Sequence, residues 1–369
     1  MDRNKINKYL FFFDSRATFA YSNNIIKIFK KKKIKFQTFI SGNYLETEMK
    51  VDKSLFRKNN IKINSSVRFK SPSKGIDYWP ISFGKAMMGY AAKLKKIKPE
   101  IVIITGDRIE TLAFCITCAY MNIPIAHVQA GDKSGHIDDL SRAAIAKFSN
   151  LHFAPSIKAC QRLLQWGEEK RRVFFTGAPQ LDDIKLNKKI KKSNYYVVIF
   201  HPVLNEQNKI DKQLNDLLRA INKSKLNVVW IYPNNDVGYK KILKKIKKNK
   251  TKNIKIVSNY ERTDFIHLLS KSKGMIGNSS AGIIEASMFK LPVINIGSRQ
   301  NGRPQSINIV NCKSDYNKIL KKINFIRKNK KFINSLKKTK NPYFLKNSSV
   351  MITKILANLK LSDSLLKKY

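Results

Sequence analysis

Acidic residues are scarce in this chain. Against 73 lysines and arginines it carries 25 aspartates and glutamates, a formal charge of +48 over 369 residues. Such a deficit of acid invites a nucleic-acid or anionic-membrane partner, because dense cations attract phosphate. The cations are mostly lysine, spread through helix-like stretches such as 30–33, 240–250 and 318–331, with no zinc-finger spacing, aromatic RNP-type strand or basic tail beside them. Lysine accompanied by abundant Asn and Ile reads as compositional bias on solvated helix faces. No nucleic-acid partner is expected.

Cysteine is equally sparse. Four cysteines are too few and too scattered for a disulfide framework in a chain of this length. Cys115 and Cys118 form a C-x-x-C, but inside an apolar helix pattern and without a second pair to complete a metal site. Long apolar runs are missing too. None approaches the roughly 18 residues that span a bilayer, so no integral membrane segment is expected. The stretch Leu10-Phe11-Phe12-Phe13, preceded by Lys5 and Lys8, stops at Asp14, short of the roughly 7 to 15 apolar residues of a secretory signal. A cytoplasmic protein is expected.

What is present is alternation. Apolar runs of strand length interleave with amphipathic stretches of helix length, the signature of repeated β-α units around parallel sheets. Strands are predicted over residues 9–13, 34–40, 100–104, 123–128, 151–154 and 172–175, and helices over 19–32, 84–98, 109–120, 139–148 and 157–166. A lysine-rich polar stretch at 185–194 separates this block from a second series, with strands over 195–200, 227–232, 254–257, 274–276 and 293–296 and helices over 209–223, 263–270 and 281–289. The expected fold is therefore α/β, with two Rossmann-like doubly wound domains facing across a cleft. Residues 1–184 form the first and 195–345 the second, and a helix within 346–369 crosses back to the first.

Open α/β sheets bind ligands at the carboxyl ends of their strands, so the polar segments placed there are the candidate sites. Gly277-Asn278-Ser279-Ser280-Ala281-Gly282-Ile283-Ile284-Glu285 follows one strand. Amides at a helix amino end, hydroxyls and the local dipole make an anion site. Gly282 permits close backbone approach, and Glu285, one turn after Ala281, is placed to accept hydrogen bonds from ribose hydroxyls. The competing explanation is a serine N-cap with a surface glutamate.

Gly106-Asp107-Arg108 follows Ile101-Val102-Ile103-Ile104-Thr105, which puts the Asp107 carboxylate at a strand end with a cation beside it, suited to proton transfer or else to helix capping. After the next strand, Asp138 and Arg142 are spaced i,i+4 to pair on a helix. Asp139, about 100° around that helix, is left to face the site. His201-Pro202 ends the first strand of the second series, where a histidine can titrate near neutrality. Arg299 and Arg303 flank a turn, and arginine forks match phosphate oxygens. Arg16, after the first strand, offers another cation.

Taken together, Gly106-Asp107-Arg108, Ile137-Asp138-Asp139 with Arg142, Leu151-His152-Phe153, Gly177-Ala178-Pro179, His201-Pro202-Val203, residues 277–285 and Asn295-Ile296-Gly297 through Arg303 carry a resemblance. Over most of residues 9–310 the chain resembles the hydrolysing UDP-N-acetylglucosamine 2-epimerase family, which makes N-acetylmannosamine and related sugars for sialic and legionaminic-type acids. The resemblance implies a two-domain fold like that of GT-B glycosyltransferases, UDP held mainly by the second domain, and no metal or redox cofactor. It implies abstraction of the carbon 2 proton, loss of UDP to a glycal-like intermediate, and addition of water with inversion at carbon 2.

Carried over by position, Asp107, Asp139 and His201, with Asp138 as a partner, handle protons. Arg16, Ser279, Ser280, Glu285 and Arg299 contact the nucleotide, and Arg108, Gln129, Asn278, Gly282 and Arg303 complete the expected substrate-binding set. Order in the sequence leaves open which group is acid and which is base. A homo-oligomer, dimer or tetramer, is expected.

The chain departs from the family in several places. Asp14-Ser15-Arg16-Ala17-Thr18 stands where relatives often read Gly-Thr-Arg-Ala-Asp or -Glu. Gln129 replaces a catalytic glutamate of some relatives, Ala143 follows Arg142 where a histidine is usual, and Ala130 replaces a glycine. A different sugar, such as a diacetamido-trideoxy hexose on UDP or GDP, is one consequence. A GT-B glycosyltransferase and a non-catalytic sugar-nucleotide binder share the same nucleotide pocket and are the other readings.

Overall fold

The computed structural model describes residues 9–45, 54–69, 78–135, 138–186, 190–234 and 236–359. Lys5, Lys8, Ile137 and residues 187–189 of the polar connector lie outside the described residues. The chain divides into two compact units. Unit 1 comprises Met1–Lys133, Asp138–Asp183 and Tyr343–Tyr369, and unit 2 comprises Ser134–Ile137 and Ile184–Pro342.

In unit 1 the chain runs β1 (Tyr9–Phe13), α1 (Arg16–Lys31), β2 (Gln37–Ile40), α2 (Ser54–Lys58), β3 (Ser65–Ser66), α3 (Tyr78–Ile97), β4 (Ile101–Thr105) and α4 (Ile109–Tyr120). It continues through β5 (Ile125–Val128), α5 (Asp138–Phe148), β6 (Leu151–Ala154), α6 (Ile157–Gln165) and β7 (Val173–Phe175). These strands make one parallel sheet in the order β3-β2-β1-β4-β5-β6-β7. Strand β1 shows why the sheet is covered on both faces. Its alternate residues Tyr9, Phe11 and Phe13 join one apolar cluster with Phe19 and Phe29 of α1. Leu10 and Phe12 join the other, with Tyr90 of α3 and Phe114 of α4. A period of two in a strand buried on both sides sends successive rings to opposite faces, and Phe12 stacks on Phe114 at 4.1 Å. Cys115 and Cys118 are buried in that second cluster, as small helix residues should be.

Unit 2 repeats the plan with β8 (Tyr196–Ile199), α7 (Ile210–Lys223), β9 (Val228–Ile231), α8 (Tyr239–Lys248), β10 (Ile254–Val257), α9 (Arg262–Lys271), β11 (Met275–Gly277), α10 (Ser280–Ile283), β12 (Val293–Ile296), β13 (Ile309–Cys312), α11 (Tyr316–Lys328) and α12 (Lys330–Ser335). Its parallel sheet has the order β10-β9-β8-β11-β12-β13. One predicted element is different. The helix expected over 281–289 breaks after Ile283, and a 3₁₀ turn at Ala286–Phe289 follows. Two strands were not foreseen: β3 is only Ser65-Ser66, with no apolar residue, and β13 is a four-residue run, Ile309–Cys312, interrupted by Asn311.

The last helix, α13 (Ser348–Ala357), packs on unit 1. Its Ile352 and Leu356 enter the cluster of β1 and α1. Tyr9 Oη donates to Leu356 O at 3.0 Å, and the Asp182 carboxylate accepts from the amides of Ser348 and Ser349, at 3.2 and 2.7 Å. The turn-rich segment before it rests on Gly177, whose φ is +73° and whose added Cβ would lie 2.6 Å from Leu345 Cβ. Gly177→Ala is therefore expected to destabilise unit 1. Left-handed backbone costs a non-glycine residue about 1–2 kcal/mol, and the overlap adds about 1–3. A shift of the urea midpoint to lower concentration checks this, and an unchanged midpoint would contradict it.

Candidate active site

Both sheets reverse their strand order beside their first strand, between β1 and β4 in unit 1 and between β8 and β11 in unit 2. Ligands of open α/β sheets sit at such switch points, outside the carboxyl ends of the strands. In unit 1 those ends carry Asp14 to Thr18 and Gly106 to Arg108. In unit 2 they carry His201 and Asn278 to Ser280.

The β1–α1 turn is tightly built. Ser15 caps α1, with its hydroxyl and the Thr18 hydroxyl forming a reciprocal capping box, and Arg16 is the first helical residue. Burial pulls the Arg16 guanidinium below its ordinary pKa. Asp14 is wholly buried, and its carboxylate accepts from Thr111 Oγ1 at 2.5 Å. Thr105 Oγ1 donates to Thr18 O at 3.3 Å. These bonds stitch the turn that bears Arg16 to the turn that bears Asp107.

That second turn depends on a buried histidine. Gly106 has φ +85°, and its carbonyl, which can only accept, faces His127 Nε2 at 2.8 Å. The His127 ring therefore donates from Nε2, and burial pushes its pKa down to about 3. Because the folded value lies below the unfolded 6.5, this neutral ring contributes stability that is complete above about pH 6.5 and is lost as pH falls toward 3. By pH 4.5 the loss should be about 2–3 kcal/mol. His127→Gln, which keeps an N–H donor for Gly106, should flatten the decline of the denaturation midpoint between about pH 7 and 4.5. An equal decline in both proteins would show that His127 is not its cause.

Asp107 does not cap α4. The N-cap is Arg108, which makes no capping bond through its side chain. Asp107 Oδ2 instead binds Nη2 of Arg142, a residue only 2% exposed. The same guanidinium reaches Asp139 Oδ1 at 2.5 Å and Asp132 O at 2.9 Å. Asp107 Oδ1 has no hydrogen-bond partner among the described residues, and the side chain is 22% exposed. One carboxylate oxygen is fixed while the other makes no hydrogen bond among the described residues.

Two expectations are corrected here. Asp139 is not left over by an Asp138–Arg142 pair, because the guanidinium tucks inward and meets Asp139 at i,i+3. The cation beside Asp107 is Arg142 and not Arg108, which makes a fork on buried Glu110 at 3.0 and 3.2 Å. Burial raises the Glu110 pKa and the Arg108 charge opposes the rise. Asp138 opens α5 and is half-buried. Gln129 follows β5 in a left-handed conformation, and its Nε2 donates to Gln180 at 2.8 Å.

In unit 2, strand β11 ends at Gly277, where an added Cβ would lie 1.9 Å from Ile199 O, so no side chain fits. Asn278 is buried and clamps His201 on both sides, accepting from its amide at 2.7 Å and donating to its carbonyl at 2.8 Å. Its side chain is thus committed to the backbone of the neighbouring loop. Ser279 caps α10 by accepting from the Ala281 amide at 3.3 Å. Ser279 and Ser280 stay half-exposed at the strand ends. The close approach permitted by Gly282 is to the sheet, since a Cβ there would sit 2.9 Å from Val293 Cγ1.

Arg299 Nη1 and Gln300 Nε2 both donate to Asn278 O, at 3.2 and 2.9 Å, and Arg303 Nε donates to Gln300 at 2.7 Å. Arg299 therefore joins His201, Ser279 and Ser280 at one sheet edge. Glu285, past the break in the expected helix, is buried and accepts from Arg262 Nη1 at 2.8 Å. Arg262, Arg142's link to Asp107, and Glu110 were not foreseen, because each pairing is distant in sequence or turned away from simple helix spacing.

The comparisons with known proteins follow this geometry. A family model described as UDP-N-acetylglucosamine 2-epimerase matches residues 27–357. The chain belongs to that family. Among curated members it is 34% identical over 252 residues to UDP-N,N'-diacetylbacillosamine 2-epimerase (hydrolyzing) of Legionella pneumophila, covering 65% of this chain and 67% of that one. It is 33% identical over 232 residues to a Neisseria meningitidis UDP-N-acetylglucosamine 2-epimerase, spanning 60% of this chain and 61% of the relative. Among solved structures, the S. aureus MnaA–UDP co-structure superposes with a TM-score of 0.80 at 19% identity, covering 96% and 98% of the two chains. At that identity the likeness speaks for the fold, which is GT-B-like. No helix among the described residues is long and apolar enough to cross a membrane.

Proposed function

We propose that this 2-epimerase family member is a hydrolysing enzyme. Its substrate would be a UDP-linked N-acetylamino sugar, either UDP-N-acetylglucosamine or a diacetamido relative, and its products UDP and a free N-acetylmannosamine-type sugar. The observation that carries the reading is Asp107, whose Oδ2 is pinned by Arg142 while Oδ1 makes no hydrogen bond and the side chain stays partly exposed. General-base catalysis needs such a fixed acceptor.

In the proposed reaction Asp107 Oδ1 takes the proton from carbon 2. The C2–H electron pair forms the C1=C2 double bond, and the C1–O bond breaks to release UDP. Water then adds across that bond, hydroxyl to carbon 1 and proton to the opposite face of carbon 2. Asp139 shares that guanidinium, which supports a part for it in the proton traffic. The half-exposed Ser279 and Ser280 hydroxyls and Arg299 suit a diphosphate, and the buried Glu285 suits the ribose. The names of two relatives, from Legionella pneumophila and Campylobacter jejuni, join "hydrolyzing" to diacetylbacillosamine, which supports a diacetamido substrate here.

Incubation with a panel of UDP- and GDP-acetamido sugars in D₂O tests the proposal. UDP and a free sugar deuterated at carbon 2 are expected. A 2-epimer still joined to its nucleotide would overturn the hydrolytic half of the reading. Sugar transfer to an acceptor without carbon 2 exchange, or no turnover at all, would overturn the whole.

A further inference from the structure

Unit 2 holds a second recess, away from the serines after β11. An open pocket of about 600 Å³ lies at the carboxyl edge of its sheet, lined from the loops after β8, β12 and β13. Helices α7 and α11 share the apolar cluster on one face of that sheet, with Val198 of β8 and Ile294 of β12. The alternate residues Met275 and Val293 belong to the other face, where Ala281 of α10 packs. The pocket opens where α7 and α11 begin: Lys209 is the N-cap of α7, Lys212 lies in its first turn, and Ser314 directly precedes Asp315, the N-cap of α11. It therefore stands on the face opposite α10, whose start carries Ser279 and Ser280.

The electrostatics of this pocket favour an anion. Lys209, Lys212 and Lys313 line it against a single carboxylate, Glu206. Lys209 and Lys313 form no ion pair among the described residues, and Lys212 reaches only Asp216, at 4.0 Å. Both oxygens of Glu206 are engaged in the wall, where Ser298 Oγ donates at 2.9 Å and Gln213 Nε2 at 2.5 Å. Two acids at the helix starts are engaged elsewhere, Asp211 with Lys245 at 3.6 Å and Asp315 with the Lys318 amide at 3.0 Å. The amino ends of two helices, of 14 and 13 residues, add the positive ends of their dipoles. Ser314 is the sharper sign. Its hydroxyl is buried and has no hydrogen-bond partner among the described residues, and a buried polar atom left so carries a cost that a ligand oxygen would relieve.

We infer that this pocket binds a sugar phosphate, with the phosphoryl group held among Lys209, Lys313 and the Ser314 hydroxyl. Its volume is in the range of small-molecule sites and exceeds what a bare phosphate fills. Asn301 and Gln213 bring amides that suit sugar hydroxyls, and no aromatic side chain among the described residues lines the pocket to stack a nucleobase. The ligand is thus of a different kind from a uridine nucleotide. The site goes beyond the epimerase reaction proposed above and does not depend on it.

Calorimetric titration of the whole chain at constant ionic strength tests this, with hexose 1- and 6-phosphates as probes and the parent hexoses and inorganic phosphate as controls. A hexose phosphate should bind about tenfold or more tightly than either control, and UDP should not displace it. Lys209→Ala with Lys313→Ala should weaken binding about tenfold, as loss of charge-assisted contacts implies, whereas Lys241→Ala with Lys244→Ala, which removes the same charge from α8, should leave it within about twofold. Ser314→Ala should weaken binding about fivefold, the size of one neutral hydrogen bond. Its Tm should not fall, because the hydroxyl has no bond to lose in the free protein. Binding of no hexose phosphate, inorganic phosphate binding as tightly as the sugar phosphates, displacement by UDP, equal losses in the two lysine pairs, or a serine variant that loses stability but not affinity would each overturn the inference. Absence of turnover beside the expected binding defeats only the functional reading.

Discussion

Asp107→Asn is expected to lower kcat about a thousandfold, within the range of general-base contributions, with UDP affinity within about twofold of the parent. The asparagine has nearly the same shape, so the turn held by Gly106 and His127 should persist. Its orientation follows from Arg142. The guanidinium has only donors, so the amide must turn its oxygen toward Arg142 and its NH₂ toward the open side. A donor then stands where Oδ1 now offers a lone pair. UDP release under saturating substrate and calorimetric titration with UDP separate the two effects, and full activity in this variant would remove Asp107 from the mechanism.

Arg142→Leu should be the most damaging single change in unit 1. The guanidinium is almost completely buried and serves Asp107, Asp139 and the Asp132 carbonyl at once. Its removal leaves two carboxylates converging on an apolar side chain, and breaking a buried charge pair in this way costs about 3–5 kcal/mol. Turnover should vanish with it. Arg142→Lys restores the charge but not the planar fork, since one ammonium cannot reproduce the directed bonds to both carboxylates. That variant should regain much of the stability and little of the activity. Urea denaturation followed with UDP release on both variants checks this, and a leucine variant as stable as the parent would show that the bridge carries no structural load.

Those two expectations rest on a pairing that spacing alone misassigned. Helix periodicity offered Arg142 a partner at i−4, Asp138, and the actual partners are Asp139 at i−3 and Asp107, 35 residues away. The choice depends on the side chain turning inward toward β4, which no local pattern encodes. Glu285 teaches the same lesson. Its expected position assumed an unbroken helix from Ala281, whereas the chain breaks after Ile283, and Arg262 from α9 reaches the carboxylate. Asn278 looked like a ligand because it stands among serines after a strand. Its buried amide clamps together the loops after β8 and β11, a role the sequence did not mark. The pocket at the starts of α7 and α11 was unmarked, because its lining comes from loops after three strands whose order in the sheet had to be known first.

The strand-and-helix alternation, the glycines at the ends of β4 and β11, and the carboxyl-end position of Asp107, His201, Ser279 and Ser280 could all be read along the chain. They are local properties, set by periodicity and by backbone conformations that glycine alone adopts. Which oxygen of Asp107 is occupied, which side chain clamps the His201 backbone and which cation meets Glu285 belong to the folded molecule. Each depends on side chains brought together from separate loops, and hydrogen bonding is decided by distances and directions that exist only once the sheets have formed.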